Sequence, residues 1–184
     1  MARSHRLLAL LAPGSIEAEV GALQQAVFSE LGCVSAIALP PLVPVRFLPV
    51  DAPARLPQVP GRRVSAGFTV RVAGPAWSGG HLFLALDTGG AWSALRGDDR
   101  WTDGPPLFPC FEGFYFGCFE PQTGSRGALA MPAMDRRFSS VDLALVSITA
   151  ADAGAEWWRE VGWQIDDRRP LRGKVPPAAG APDR

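Results

Sequence analysis

A chain of 184 residues that is 47% hydrophobic and 20% charged, with six Trp and ten Phe, has the length for one domain or two closely packed lobes and is too apolar to stay disordered. Lys plus Arg equals Asp plus Glu at 18 each, so no global positive field draws in nucleic acid or an anionic membrane, and strong non-specific nucleic-acid binding is not expected. Every basic residue except Lys174 is Arg, and the absence of Asn removes any Asn-linked glycosylation site.

Cys33, Cys110 and Cys118 are an odd number without a Cys-x-x-Cys pair, which suits a reducing compartment and predicts a cytoplasmic protein. The opening Met-Ala-Arg-Ser-His-Arg followed by residues 7–12 imitates a signal peptide. Six apolar residues before Pro13-Gly14 fall short of the usual hydrophobic region and read instead as a first strand. No apolar run approaches the roughly 20 residues of a bilayer span, so no membrane insertion is expected.

In chain order, residues 6–11 predict a strand. Ile16, Val20, Leu23, Val27 and Leu31 then recur at intervals of four, three, four and four, an apolar stripe along one helix. Ser15 is its expected N-cap, Glu17 and Glu19 suit the positive end of its dipole, and Gly32 suits a left-handed stop. Residues 34–39 and 42–48 read as strands, and the Pro-rich stretch 50–60 as loop. Residues 67–73 and 81–87 predict a hairpin with 74–80 as connector, 91–96 a short helix, and 107–119 an aromatic strand buried on both faces. Residues 98–106 and 121–127 read as loops. A second hairpin is predicted from 141–148 and 156–165, with Trp157, Val161, Trp163 and Ile165 on one face, and from Pro170 onward the composition predicts a fraying tail.

The segments His5-Arg-Leu-Leu-Ala-Leu10 and His81-Leu-Phe-Leu-Ala-Leu86 resemble one another. Each leads through a Gly-containing turn into helical pattern and later to a Pro-led strand, Pro41-Leu-Val-Pro44 and Pro109-Cys-Phe-Glu112, as a duplicated β-α-β unit would. With the strands at Phe68-Thr-Val-Arg-Val and Val141-Asp-Leu-Ala-Leu-Val, this order of elements resembles the two-histidine phosphoesterases, the family of bacterial RNA 2′,3′-cyclic phosphodiesterases also called 2′-5′ RNA ligases. The resemblance spans about residues 6–171. It implies an α+β fold in which residues 1–171 form a single bilobal domain of two pseudo-symmetric lobes of antiparallel sheet with outer helices around a central cleft, followed by a flexible tail at 172–184.

The family carries a His-x-Thr/Ser motif on each lobe. One imidazole accepts a proton from the attacking oxygen, the other donates one to the leaving oxygen, and the hydroxyls two residues away on the same strand face hold the phosphate. By position these motifs fall on Leu42-Val-Pro44 and Cys110-Phe-Glu112. Leu42 has no titratable proton, Pro44 cannot donate to a ladder, and Glu112 repels a phosphate, so catalysis by an imidazole pair is not expected. The two histidines present, His5 and His81, are followed two positions on by Leu7 and Phe83 rather than hydroxyls, and read as strand-edge residues without a catalytic task.

No phosphate-binding glycine loop, His-Glu-x-x-His or clustered Cys/His pattern occurs, so no cofactor and no metal are expected. The remaining ligand-binding candidates are Arg46, Arg71, His81, Cys110 and Glu112. Alternation puts Arg46 on the face of Leu42 and Pro44, and Arg71 lies on a neighbouring strand. Either can hold a phosphate or carboxylate bidentately, or pair with an acid at the sheet margin. Cys110 forms a thiolate–imidazole pair with His81 or is a buried inert thiol, and Glu112 serves as a general base if desolvated. The doublets Arg62-Arg63, Arg136-Arg137 and Arg168-Arg169 read as solvated loop charge, and Phe108, Phe111, Phe114, Tyr115, Phe116 and Phe119 as core in preference to base-stacking platforms.

The expectation is a non-catalytic relative of that family acting as a ligand-binding or interaction module, its cleft taking a small phosphorylated or apolar ligand. The alternatives are a phosphoesterase with a site rearranged around His81, Cys110, Glu112 and Arg46, and a structural partner in a protein complex contacting others through residues 49–60 and the Trp157-Trp158 pair.

Overall fold

The computed structural model describes residues 3–49, 51–56, 70–97, 107–118, 137–138, 140–150 and 156–172. Its elements run β1 (Arg3–Leu11), α1 (Gly14–Leu31), β2 (Leu42–Leu48), β3 (Val70–Ser78), β4 (His81–Asp87), α2 (Ala91–Arg96), β5 (Gly113–Cys118), β6 (Arg137–Phe138), β7 (Ser140–Ala150) and β8 (Gly162–Arg172). Short 3-10 turns lie at Val34–Ile37 and Trp157–Glu160.

Apolar residues at every position from Leu7 to Leu11 cannot all face one side of a sheet, and β1 accordingly runs between two neighbours with both faces covered. The strands form two four-stranded sheets, β2-β1-β7-β8 and β5-β4-β3-β6, antiparallel at every pairing. The fold is therefore α+β, and each sheet has at one edge the two strands of a strand–helix–strand unit, β1-α1-β2 in the first and β4-α2-β5 in the second. No helix among the described residues is long and apolar enough to cross a membrane.

Alternation along β1 feeds two cores. Leu8 and Leu10 join Val20 and Val27 of α1, Trp92 and Leu95 of α2, and Phe114 and Phe116 of β5. Leu7, Ala9 and Leu11 face the opposite way, into a core with Leu42, Phe47, Phe83, Phe108, Tyr115 and Trp157. Both cores draw on both sheets, so neither sheet buries its faces alone.

Several expectations are corrected by tertiary packing. In place of the strand expected at 34–39, Val34–Ile37 form a 3-10 turn: Ser35 and Ala36 are buried while Val34 and Ile37, three apart, are exposed together, a period of three and not of two. The N-cap position of α1 is held by Pro13, whose carbonyl accepts from Ile16 and Glu17, in place of Ser15, while Gly32 does stop the helix with φ 65°. The connector expected at 74–80 shrinks to Gly79-Gly80, both at positive φ, because Gly74 at φ 120° absorbs a register shift and lets Pro75 and the residues after it stay in β3. The strand expected at 107–119 begins only at Gly113: Phe108 folds back to stack on Tyr115 at 4.6 Å. Trp157 lies in the 3-10 turn ahead of β8 and is buried, whereas Trp163 and Ile165 are 44% and 39% exposed. Pro170 does not begin a tail, since β8 continues to Arg172, an edge position where a missing N–H is tolerated. Residues 62–63, 98–106, Phe119, 121–127, Arg136 and 173–184 lie outside the described residues.

Candidate functional site

β2 and β5 are edge strands of different sheets, and they lie against each other without a hydrogen-bonded ladder. An edge exposes backbone groups that need partners. Here Trp92 Nε1 of α2 donates to Pro44 O of β2 at 3.1 Å, and Gln24 Nε2 of α1 donates to Tyr115 O of β5 at 3.1 Å. Each helix thus caps the third residue of the strand belonging to the other strand–helix–strand unit. Gln24, only 3% exposed, also reaches Leu39 O at 3.4 Å.

The face between the sheets is aromatic. Leu42 is fully buried there, and Phe47, Phe108 and Tyr115 form a row of rings with centroid separations of 5.2 and 4.6 Å. The histidines flank this row: His5 meets Phe47 edge-on at 6.2 Å, and His81 meets Tyr115 at 5.8 Å with Nδ1 hydrogen-bonded to the Tyr115 hydroxyl at 3.2 Å. Desolvation pushes both imidazoles below their ordinary value, with Arg3 adding to the effect at His5. The two rings therefore border the same aromatic row, His5 at its Phe47 end and His81 at its Tyr115 end.

The other candidates separate. Pro44 pairs with Ala9 while Arg46 pairs with Leu8, so Val45 is an extra residue and the bulge turns Arg46 away from Leu42 and Pro44 toward the helix-side core. Arg46 Nη1 there donates to Arg96 O at 3.4 Å, close by the end of α2. The alternation that placed Arg46 on the motif face fails at this one residue. Glu112 accepts from Thr88 N at 2.9 Å and from Thr88 Oγ1 at 2.5 Å, and Thr88 Oγ1 in turn accepts from Trp92 N, so this carboxylate secures the start of α2. Cys110 is half-buried against both cores and in no disulfide, and the hydrogen bond of His81 goes to a phenol and not to that thiol. Burial pushes the Cys33 thiol up, an inert environment. The backbone of Arg71 is in β3, opposite Asp87 and Arg137; its side chain, like that of Cys118, lies outside the described residues. Among the described residues no group of three or more His, Cys, Asp or Glu gathers to hold a metal.

Of the contacts expected to serve a partner, Leu56 and Trp157 are engaged with the cores, Trp158 is partly buried against one of them, and residues 50 and 57–60 lie outside the described residues. Leu56 packs against the helix-side core and its N–H bonds Asp167 Oδ2 at 2.9 Å, and Trp157 is internal. Arg168 is ion-paired with Asp142. One feature escaped sequence reasoning: Trp157 Nε1, His5 Nε2 and Arg46 Nε are buried atoms with no hydrogen-bond partner. The Trp157-Trp158 doublet was visible as a pattern, but only packing shows that the first indole is enclosed. Comparison with protein-family models, curated proteins and solved structures finds no match.

Proposed function

We propose that the chain is a degenerate relative of the two-histidine phosphoesterases, retaining two pseudo-symmetric lobes while lacking the catalytic pair, and that it acts as a binding module on the aromatic face between the lobes. Support for twin lobes comes from the matching strand orders, the contact of the β2 and β5 edges, and the reciprocal capping by Trp92 and Gln24. The observation that carries the binding reading is the row Phe47, Phe108 and Tyr115 filling the space between His5 and His81, with Leu42 buried at a motif position. A phosphate entering there meets rings and neutral imidazoles in place of hydroxyls and cations, which disfavours a phosphorylated ligand and favours an apolar one. A rearranged phosphoesterase site loses its support, because Glu112 is committed to Thr88 and Arg46 faces the other core.

The test is incubation of the purified protein with 2′,3′-cyclic nucleotides and short 2′-5′-linked RNA, with His81→Ala and Glu112→Ala as controls. No turnover is expected. Hydrolysis that vanishes in either variant would overturn the proposal.

A further inference from the structure

A half-buried guanidinium ordinarily has an acid beside it, because its charge is costly to desolvate alone. Among the described residues neither Arg6 nor Arg46 makes an ion pair. The register pairs Arg6 with Leu48 and Leu8 with Arg46, which puts both arginines on the helix side of the neighbouring strands β1 and β2. Diagonal positions of this kind lie roughly 7–8 Å apart. Both side chains are half-buried, so they border the surface and not a filled core. The acids that the sheet brings to this side are engaged elsewhere. Asp166 accepts from Ser147 Oγ at 2.5 Å and from Gln164 Nε2 at 2.9 Å, and Asp167 accepts from Leu56 N and Arg168 N. Asp51, exposed in the turn after β2, pairs with neither arginine. Arg46 is also loosely held: its one hydrogen bond, from Nη1 to Arg96 O, is 3.4 Å long, and its Nε has no partner.

We propose that Arg6 and Arg46 form a binding site for a dianionic phosphate group on the helix side of the β1–β2 pair. The site lies on the opposite sheet face from the aromatic row and does not rest on the reading of that row. Two like charges on adjacent strands repel, and an anion seated between them removes the repulsion while satisfying both. Charge count selects the anion: a carboxylate neutralises one guanidinium, whereas a phosphate dianion neutralises both and offers three acceptor oxygens to their paired N–H groups. The weak hold on Arg46 leaves its guanidinium little to lose by turning from the Arg96 carbonyl toward such a ligand. Arg96, whose own guanidinium lies 5.0 Å over the Trp92 ring, adds a third positive charge at this end of α2. Inorganic phosphate and a phosphate monoester share the recognised group.

The test follows the arginine Nε–H cross-peaks of the full chain, 15N-labelled, during titration with inorganic phosphate, with phenyl phosphate as the monoester, benzoate as a monoanion and sodium chloride at matched ionic strength. The Arg6 and Arg46 cross-peaks are identified by their absence in Arg6→Gln and Arg46→Gln. Phosphate is expected to shift both on one saturable curve, and either variant to bind it about tenfold to a hundredfold more weakly, the worth of one charge-assisted hydrogen bond. Affinity is expected to fall severalfold from about pH 7.5 to 5.5, as phosphate loses its second charge near pH 6. Tighter binding of phenyl phosphate than of inorganic phosphate marks a monoester as the ligand and the reverse marks the free anion; either outcome supports the site. The proposal is overturned by shifts that do not saturate or that sodium chloride reproduces, by equal affinity for benzoate and phosphate, or by unchanged phosphate affinity in Arg6→Gln. If Arg46→Gln does not fold, Arg6→Gln decides alone, since the Arg6 side chain makes no hydrogen bond among the described residues.

Discussion

Replacing Gln24 by Leu tests whether the two sheets are held together by side chains reaching across to each other's edges. The side chain is buried and its amide serves Tyr115 O at 3.1 Å and Leu39 O at 3.4 Å, the second near the limit of a useful hydrogen bond. Leu has nearly the same volume, so no large cavity opens. What remains is one carbonyl stripped of a good partner and another of a weak one. Leaving a buried acceptor unsatisfied costs about 1–3 kcal/mol, and the apolar gain of Leu returns part of that, so a loss of about 2 kcal/mol is expected. For a chain of this length that corresponds to a fall in Tm of roughly 4–8 °C. Urea denaturation followed by Trp fluorescence measures it, with Gln25→Leu on the exposed side of α1 as a control expected to stay within about 0.5 kcal/mol. Trp92→Phe removes the reciprocal bond to Pro44 O, and because both bonds hold the same pair of edges, the double variant should lose at least about 0.5 kcal/mol less than the sum of the single ones. A Gln24→Leu protein as stable as its control, or strict additivity with Trp92→Phe, would refute the idea of a shared clamp.

Gly117→Ala is expected to cost about 3 kcal/mol or more, because φ is 116° there and a Cβ would meet Cys33 Sγ at 2.7 Å and Ser35 Oγ at 2.9 Å; an unchanged urea midpoint would show that the 3-10 turn yields. Glu112→Ala removes the acceptor of Thr88 and should destabilise by about 1–2 kcal/mol; an unchanged urea midpoint would show that the start of α2 holds without it. Burial lowers the folded-state pKa of His81, so the unfolded chain takes up protons first as pH falls through its ordinary value, and stability is lost from about pH 7 downward and regained above it. His81→Gln should therefore flatten part of the fall in Tm between pH 7.5 and 5.5, and identical pH profiles would refute the assignment.

The elements that could be read from the chain were those whose packing matches a simple period. The stripe Ile16, Val20, Leu23, Val27 and Leu31 became α1, and the runs at Leu42–Leu48 and His81–Asp87 became β2 and β4. Period failed wherever one residue breaks it. The bulge beside Arg46 moves a guanidinium to the opposite face, and Gly74 carries β3 through residues whose Gly, Pro and Ser content signals a turn. Of the candidate site, only the inability of the Leu42 and Pro44 side chains to transfer a proton was legible, wherever they are packed. Its positive content was not, since an orphan N–H is a relation between Trp157 and everything around it, set by the return of Phe108 over Tyr115.

On the proposed reading, the exchange of imidazole and hydroxyl for Leu42 and Pro44 changes what the whole face can tolerate. A phosphate-handling cleft must stay wet, and a wet cleft satisfies its own polar atoms with water. Once Leu42 is buried and Phe47, Phe108 and Tyr115 close the space, each polar atom left on the face needs a partner from the protein or from a ligand. Pro44 offers no N–H and its carbonyl is taken by Trp92, Tyr115 O is taken by Gln24, and His81 has the Tyr115 hydroxyl. Trp157 Nε1 is outside this scheme of internal partners although it lies deeper than either imidazole, and Trp157→Phe removes that orphan donor but leaves a void, so the loss of about 1–3 kcal/mol expected from the void is offset only in part. A urea midpoint that rises in Trp157→Phe would show instead that the orphan donor costs more than the lost packing supplies.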